Sequence, residues 1–256
     1  DYYRQLMDDQ KERDHLISLL VVNESYFFRE SQQLRLLSRH LFPQALRSSG
    51  SIGPVRILSA GCSTGDEPYS IAIELMRVFG DSGIHQVEIM GGDIDLKVLA
   101  AARKGLYRNH SFRGVDPAIR DTYFIPLGQA GFQVKPEIRN HITFHQLNLL
   151  KVQAEETFQR LDIIFYRNVS IYFDPPARER IFQQLGSLLN EGGALVMSST
   201  EIFPHCEYLS DPDCPLVREE WKNITFFRKK SRLTKQADTD TSFSSQFFPD
   251  TRNSSP

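Results

Sequence analysis

The sequence predicts an α/β protein with a mostly parallel sheet and helices on both faces. Short, continuously apolar runs of buried-strand type, such as VRILSA (55–60), LDIIFY (161–166) and GGALVMSS (192–199), recur along the chain. Between them lie helical stretches of ten to fifteen residues, a rhythm of βαβ units and not of an antiparallel sandwich. The 256 residues, 40% hydrophobic and 24% charged, suit one large domain with at most a small satellite and exclude a disordered or fibrous chain.

Taken in order, residues 1–22 carry mixed charge and then an apolar run from Leu16 to Val22, which predicts a helix ending near Asn23. NESYFFRESQQLRLLSRHLF (23–42) spaces Phe27, Phe28, Leu34, Leu37 and Leu41 helically. It opens on Asn and Ser, both good caps, and closes at Pro43, which predicts a second helix. SSGSIGP (48–54) is a loop. Strand 55–60 leads to helix 66–80, with Pro68 tolerated in its first turn, and strand 86–93 leads to helix 95–107. Gly and Pro punctuate 123–146 between FIP, GFQV and ITFHQL, predicting a small antiparallel hairpin that feeds back into the main sheet. Strand 161–166, helix 175–189, strand 192–199 and a last strand in WKNITFF (221–227) follow. The expected organisation is an N-terminal helical segment (1–48), a main domain (49–228) with its insert at about 123–144, and a flexible tail (229–256) rich in Ser, Thr, Lys and Asp. The basic run Arg228-Lys229-Lys230, with Arg232 and Lys235, reads as part of that tail.

Lys and Arg total 30 against 32 Asp and Glu, a balance that speaks against a nucleic-acid partner held by phosphate neutralisation. No apolar run approaches the ~20 residues of a membrane span, and the N-terminus is too polar for a signal peptide, so a cytoplasmic, soluble chain is expected. Cys62, Cys206 and Cys214 are odd in number and form no CxxC pair, which fits a reducing compartment. The spacing of His205, Cys206 and Cys214 does not match a zinc site, so no metal is expected. Nothing in the pattern requires an obligate interface, and a monomer is expected.

In open α/β sheets the ligand sits at the carboxyl ends of the strands, which directs attention to the residues after 59, 92, 147 and 166. In SAGCSTGDEPYS (59–70), Gly61 and Gly65 allow a sharp turn and a close ligand, and a helix N-terminus follows at once. Asp66 and Glu67 there would repel a pyrophosphate but suit ammonium or hydroxyl groups; plain helix capping is the alternative. Asp93 ends the second strand, where an acid is the usual partner of an adenosine ribose, while Asp95 is the better helix cap. Asn148 has the place to read an adenine edge or to form a turn. Arg167 and Tyr172 in YRNVSIYF (166–173) are costly at a strand end unless paired or used, although Tyr172 equally suits a core-edge aromatic. Together these features indicate an S-adenosylmethionine site.

NESYFFRE (23–30), ILSAGCSTGDEPYSIAIEL (57–75), GGDIDLKVLAAARKGLY (91–107), NLL (148–150) and YRNVSIYFD (166–174) occur in this order. Over roughly residues 20–230 they resemble the chemotaxis receptor glutamate methyltransferases, the CheR-type family. The resemblance implies a Rossmann-like class I S-adenosylmethionine-dependent methyltransferase sheet with a small antiparallel β-subdomain. It implies that Asn23, Ser25 and Arg29 reach the cofactor, that Glu67 meets its amino-acid moiety and Asp93 its ribose, that Asn148 and Leu149 flank the adenine, and that Gly61 approaches it closely. Tyr166 and Arg167 would line the pocket floor, and Arg29 and Tyr172 would bracket the transferred methyl. The partner implied is the cytoplasmic helical region of a methyl-accepting receptor, and the β-subdomain is implied to contact the receptor or a receptor tail.

Similar proteins carry several helices before the NxTxFFR block; only some twenty residues precede Asn23, so either a shortened N-terminal region or an excised fragment is expected. Ser25 stands where Thr is usual and keeps the hydroxyl; Tyr166 replaces a more familiar Cys and SSTEIF (198–203) ends its strand differently, and these two bear on the acceptor pocket. The implied reaction is methyl-ester formation on glutamate, with a catalytically idle signalling module or methylation of a different acid or alcohol as the alternatives. His145 reads as a strand residue and not a base. Arg35 and Arg39, one turn apart, suit an acidic receptor helix or a solvated face.

Overall fold

The computed structural model describes residues 2–20, 24–49, 53–154 and 156–231. The apolar runs form strands β1 (Val55–Ala60), β2 (Val87–Asp93), β6 (Ile142–Gln146), β7 (Leu161–Tyr166) and β8 (Leu189–Met197), with β3 (Leu106–Tyr107), β4 (Phe124–Pro126) and β5 (Phe132–Val134) between them and β9 (Leu216–Trp221) and β10 (Ile224–Lys229) at the end. Among the described residues seven strands make one sheet in the order β6-β2-β1-β7-β8-β10-β9. The first five are parallel; β10 enters antiparallel to β8 and forms a hairpin with β9. The chain steps outward from β1 through β2 to β6, then returns to the other side of β1 as β7. That reversal places a topological switch point between β1 and β7, and the crevice outside their carboxyl ends is the place for a ligand.

Both faces of the sheet are covered, and the period of two decides which residue meets which layer. Ile57, Ile163, Phe165 and Val196 enter one core, and Leu58, Ile164, Tyr166 and Met197 enter the other. Helix Asp66–Phe79 packs Tyr69, Ile71 and Ile73 into the first, and helix Pro175–Leu188 packs Ile181, Phe182 and Leu185 into the second. Strands buried on both faces read as unbroken apolar runs, which is why they are legible in the sequence.

Several elements depart from expectation. The helix expected over 23–42 begins at Ser31, and a turn precedes it in which Phe28 (φ 57°) and Glu30 (φ 50°) are left-handed. Asn23 lies outside the described residues. The helix does not close at Pro43: one π turn, Leu37–Leu41, widens the winding, and helix Phe42–Ser49 continues with the proline in its first turn. Helix Leu96–Lys104 stops early at the left-handed Gly105, freeing Leu106–Tyr107 to pair with β5. The small sheet is therefore β3-β5-β4, so the insert starts at Leu106, ahead of 123, and ends before β6, which pairs with β2 in the main sheet. WKNITFF is split by a hairpin turn at Lys222 and Asn223, both left-handed as a tight two-residue turn demands, and β9 was not expected.

Phe27 explains why the FF pair sits outside the helix. Its ring lies 4.7 Å from Tyr107 and 4.9 Å from Phe124, both edge-on, and 5.1 Å from Phe112 in a stack. The backbone N–H of Phe27 donates to the Ser111 carbonyl at 2.9 Å, and that of Phe28 to Ser70 Oγ at 2.9 Å. The turn carrying Arg29 is thus fastened to the insert and to helix Asp66–Phe79 at once. Phe27→Ala is expected to destabilise the protein by about 3–5 kcal/mol, the usual loss for a buried aromatic, measured by urea unfolding. A loss below about 1 kcal/mol would show that the cluster does not anchor this turn.

Candidate active site

The crevice is built from the ends of β1, β2 and β7. The N–H groups of Gly61 and Cys62 both donate to the Gly92 carbonyl, at 2.7 and 2.9 Å, which ties the two strand ends together. Gly61 has φ 82°, and a Cβ there would overlap Val169 Cγ2, so only glycine lets the two loops close on each other. Asp93 is buried at the strand end, its carboxylate accepting from Ser63 N (2.8 Å) and Asp95 N (3.0 Å). Burial raises its pKa, although those N–H groups pull the other way. Asp95 is the helix cap, accepting from Lys97 N at 2.8 Å.

Glu67, in the first turn of the helix after β1, accepts from Ser59 Oγ (2.7 Å) and from Arg167 Nη1 (2.8 Å). Arg167 also donates to the Arg29 carbonyl at 2.5 Å and stands 3.8 Å from Glu30. The next loop is held from beneath. Buried Glu201 accepts from the N–H groups of Asn168, Val169 and Ser170, at 2.5, 3.1 and 2.8 Å, and from Ser170 Oγ at 2.6 Å. Asn168, at φ 59°, takes the left-handed turn that aims these donors at one carboxylate.

The result is a cleft of about 600 Å³, a size ordinary for small-molecule sites. Ser25, Arg29, Gly61, Glu67, Asp93, Asn148, Leu149, Arg167 and Tyr172 all line it. Tyr172 stands at its mouth, 55% exposed. Ser25 turns its hydroxyl toward the Asp66 carboxylate, and Asn148 spends its carbonyl oxygen on Leu150 N at 3.0 Å, leaving its amide hydrogens for a ligand. Arg167 lines the cleft as a brace, its guanidinium directed at protein acceptors.

Tyr166 does not line the floor. Strand alternation sends it to the second core with Ile164, where its ring meets His205 edge-on at 6.4 Å and its hydroxyl has no partner among the described residues. Reasoning from sequence also missed Cys62, Ser63, Asn168 and Val169 on the lining, and Glu201 behind it. The left-handed tolerance of asparagine was the available signal for Asn168; nothing local marked Glu201.

Residues 23–212 match the family model described as CheR methyltransferase, SAM binding domain. A probable chemotaxis protein methyltransferase of Rhizobium etli is 38% identical over 193 residues, covering 74% of this chain and 71% of that one. Chemotaxis protein methyltransferase 2 of Pseudomonas aeruginosa is 34% identical over 214 residues, covering 82% and 74%. The probable biofilm formation methyltransferase WspC of the same organism is 34% identical over 203 residues; the match covers 78% of this chain but 47% of that protein.

Asp66 gives the site a stability signature. Fully buried, with one oxygen accepting from Thr64 Oγ1 at 2.6 Å, it has a pKa raised by burial above the ordinary 3.8. The folded state therefore holds the proton more tightly than the unfolded chain. The contribution is present below the unfolded value and is lost as pH rises through the folded one. The stability of Asp66→Asn relative to wild type is expected to rise with pH above the ordinary carboxylate range, from about pH 4 upward, read from urea unfolding at each pH. A difference that shrinks with rising pH would reverse this assignment.

Proposed function

The chain belongs to the CheR methyltransferase family, and from that premise we propose that it methylates glutamate side-chain carboxylates of chemotaxis-type receptors, forming methyl esters with S-adenosylmethionine as donor. The observation that carries the reading is that one cleft at the strand ends is lined by Glu67 and Asp93 together with Arg29 and Tyr172.

The residues present fit this cofactor. Asp93 would hold the ribose hydroxyls, Glu67 the ammonium of the amino-acid moiety, and Asn148 with Leu149 the adenine, while Gly61 leaves the space a side chain would fill. Asn23, Ser25 and Arg29 would close over it from the entering turn. When bound, S-adenosylmethionine supplies an electrophilic methyl group on a positively charged sulfur. A glutamate with pKa ~4.3 is already ionised near neutral pH, so the chain needs no general base. Its tasks are alignment and partial dehydration of the carboxylate. The fork of Arg29 would hold one carboxylate oxygen and leave the other to attack. The Tyr172 hydroxyl would donate to the same group, and both act best where their bonds strengthen in the transition state.

In this reading residues 1–48 help to close the cofactor side, the small β3-β5-β4 sheet meets the receptor, and the protein works as a monomer in the cytoplasm. Among the described residues no helix is long and apolar enough to cross a membrane.

Titration calorimetry with S-adenosylhomocysteine is expected to show binding by wild type and none by Asp93→Ala; equal affinity in the two would remove Asp93 from the site. Arg29→Ala is expected to lower turnover at least a hundredfold, about 2.7 kcal/mol, while melting at the wild-type temperature. Turnover is read as methanol released from the product ester in mild base. Unchanged release by Arg29→Ala would exclude Arg29 from the mechanism, and a base-stable product would exclude a glutamate ester.

A further inference from the structure

On the far side of the Arg29 turn lies a second cavity, about 460 Å³, that the mechanism does not use. Tyr26 is a wall common to it and the cofactor cleft. Its lining offers donors: Arg113 from the insert, Arg35 and Gln32 from the helix that follows the turn, and Asn223 from the β9–β10 hairpin. Arg35 is exposed and belongs to a stretch, residues 31–49, with three arginines and no acidic residue. The acid on the lining, Glu30, is already engaged: it accepts from Ser198 Oγ (2.7 Å), Gln33 Nε2 (2.9 Å), Ser199 N (3.3 Å) and Asn168 Nδ2 (3.3 Å).

Arg113 is held in place and already grips a carboxylate. Its guanidinium lies 3.9 Å from the centroid of the Tyr26 ring, and its Nη2 donates to Glu24 Oε1 at 2.6 Å. That hydrogen bond holds the Glu24 carboxyl below its usual pKa. Both partners are more than half exposed, and an exposed pair of this kind contributes little and exchanges easily. Arg29 approaches the same Tyr26 ring at 5.6 Å, so the two guanidinium carbons lie less than about 10 Å apart. Side chains three or four residues apart on an α-helix stand ~5–6 Å apart at Cβ and point the same way. Two glutamates so spaced have the reach to meet the two arginines together.

We propose that Arg113, supported by Arg35, forms a second carboxylate subsite that takes an acidic side chain one helical turn from the glutamate being methylated, displacing Glu24. This rests on the reading that the acceptor is a glutamate on a helix. Arg29 then serves the reaction and Arg113 the choice of glutamate. Glu24 is an internal competitor that keeps the subsite satisfied until an acidic helix arrives.

The test uses stapled, fluorescein-labelled helical peptides with one acceptor Glu and either Glu or Gln three or four residues away. Their binding to the protein loaded with S-adenosylhomocysteine is followed by anisotropy. In wild type the second Glu is expected to bind about tenfold more tightly than Gln. In Arg113→Ala the two peptides should bind equally and weakly, and Arg35→Ala should reduce the discrimination in part. Glu24→Gln should tighten binding of the doubly acidic peptide a few-fold. Equal binding of both peptides by wild type, or undiminished discrimination by Arg113→Ala, overturns the subsite.

Should Arg113→Ala lose S-adenosylhomocysteine binding, Arg113→Lys decides: weakened discrimination supports the subsite and none overturns it. Base-labile ester formed on the same peptides separates the two readings. Ester on the acceptor without any effect of the neighbour sinks the subsite alone. Coupling to Arg113 without any ester sinks the glutamate reaction and leaves Arg113 as a carboxylate-binding residue.

Discussion

The side chain of Arg167 is where three distant parts of the chain meet. It leaves the end of β7, donates to Glu67 on the helix after β1 and to the Arg29 carbonyl of the entering turn, and stands 3.8 Å from Glu30 of the same turn. At 6% exposure a lone guanidinium would be prohibitively costly, and its partners are what make the burial tolerable. The dependence runs both ways: without the cation, Glu67 would be a half-buried carboxylate with only a serine hydroxyl, and the turn carrying Arg29 would be left, on the side of β7 and β8, with the ties that Glu30 makes to Ser198, Ser199 and Asn168. The groups assigned to cofactor and acceptor therefore share one fixed point, so neither half of the cleft can shift alone. Planarity matters, because a lysine ammonium does not present the fork that reaches a carboxylate and a carbonyl together.

Glu201 is the counterpart with opposite charge. Three N–H groups and a hydroxyl of the loop after β7 converge on it, the arrangement by which proteins stabilise an ionised carboxylate away from water. It draws Val169 against Gly61, which closes the floor of the cleft, and leaves Tyr172 beyond the constrained segment at the mouth. Buried Arg167 and buried Glu201 thus fix the two ends of one short loop, and the shape of the cleft follows from both.

How much of this the sequence discloses depends on how local the cause is. The buried strands are plain because burial on both faces makes them uniformly apolar, and Asp93, Glu67 and Gly61 are found by their places at strand ends. Phe27 misleads, since its apolar spacing suits a helix face while its partners Tyr107, Phe112 and Phe124 lie some eighty to a hundred residues on. Tyr166 misleads through parity: one residue before Arg167 in sequence, it faces the opposite core. β9 hides because LVREEW lies at the sheet edge with one face in water, and its charges hide the pattern. Glu201 is invisible for the same reason as Phe27: its meaning comes only from the loop folded over it.

The charged groups that line the cleft have a consequence for the reaction cycle. On the proposed reading a glutamate carboxylate approaching from solvent meets Arg29, while Asp93 offers the cofactor an acid and Glu67 is already paired with Arg167. Such selection by charge would act at short range, because exposed charges are largely screened beyond about 10 Å. On the proposed reaction the product is a neutral ester. Methylation removes the charge that Arg29 recognised, so the affinity of the acceptor for the site falls at the moment the bond forms. On that reading the charge that draws the acceptor to Arg29 is the charge the reaction removes, which favours release of the ester.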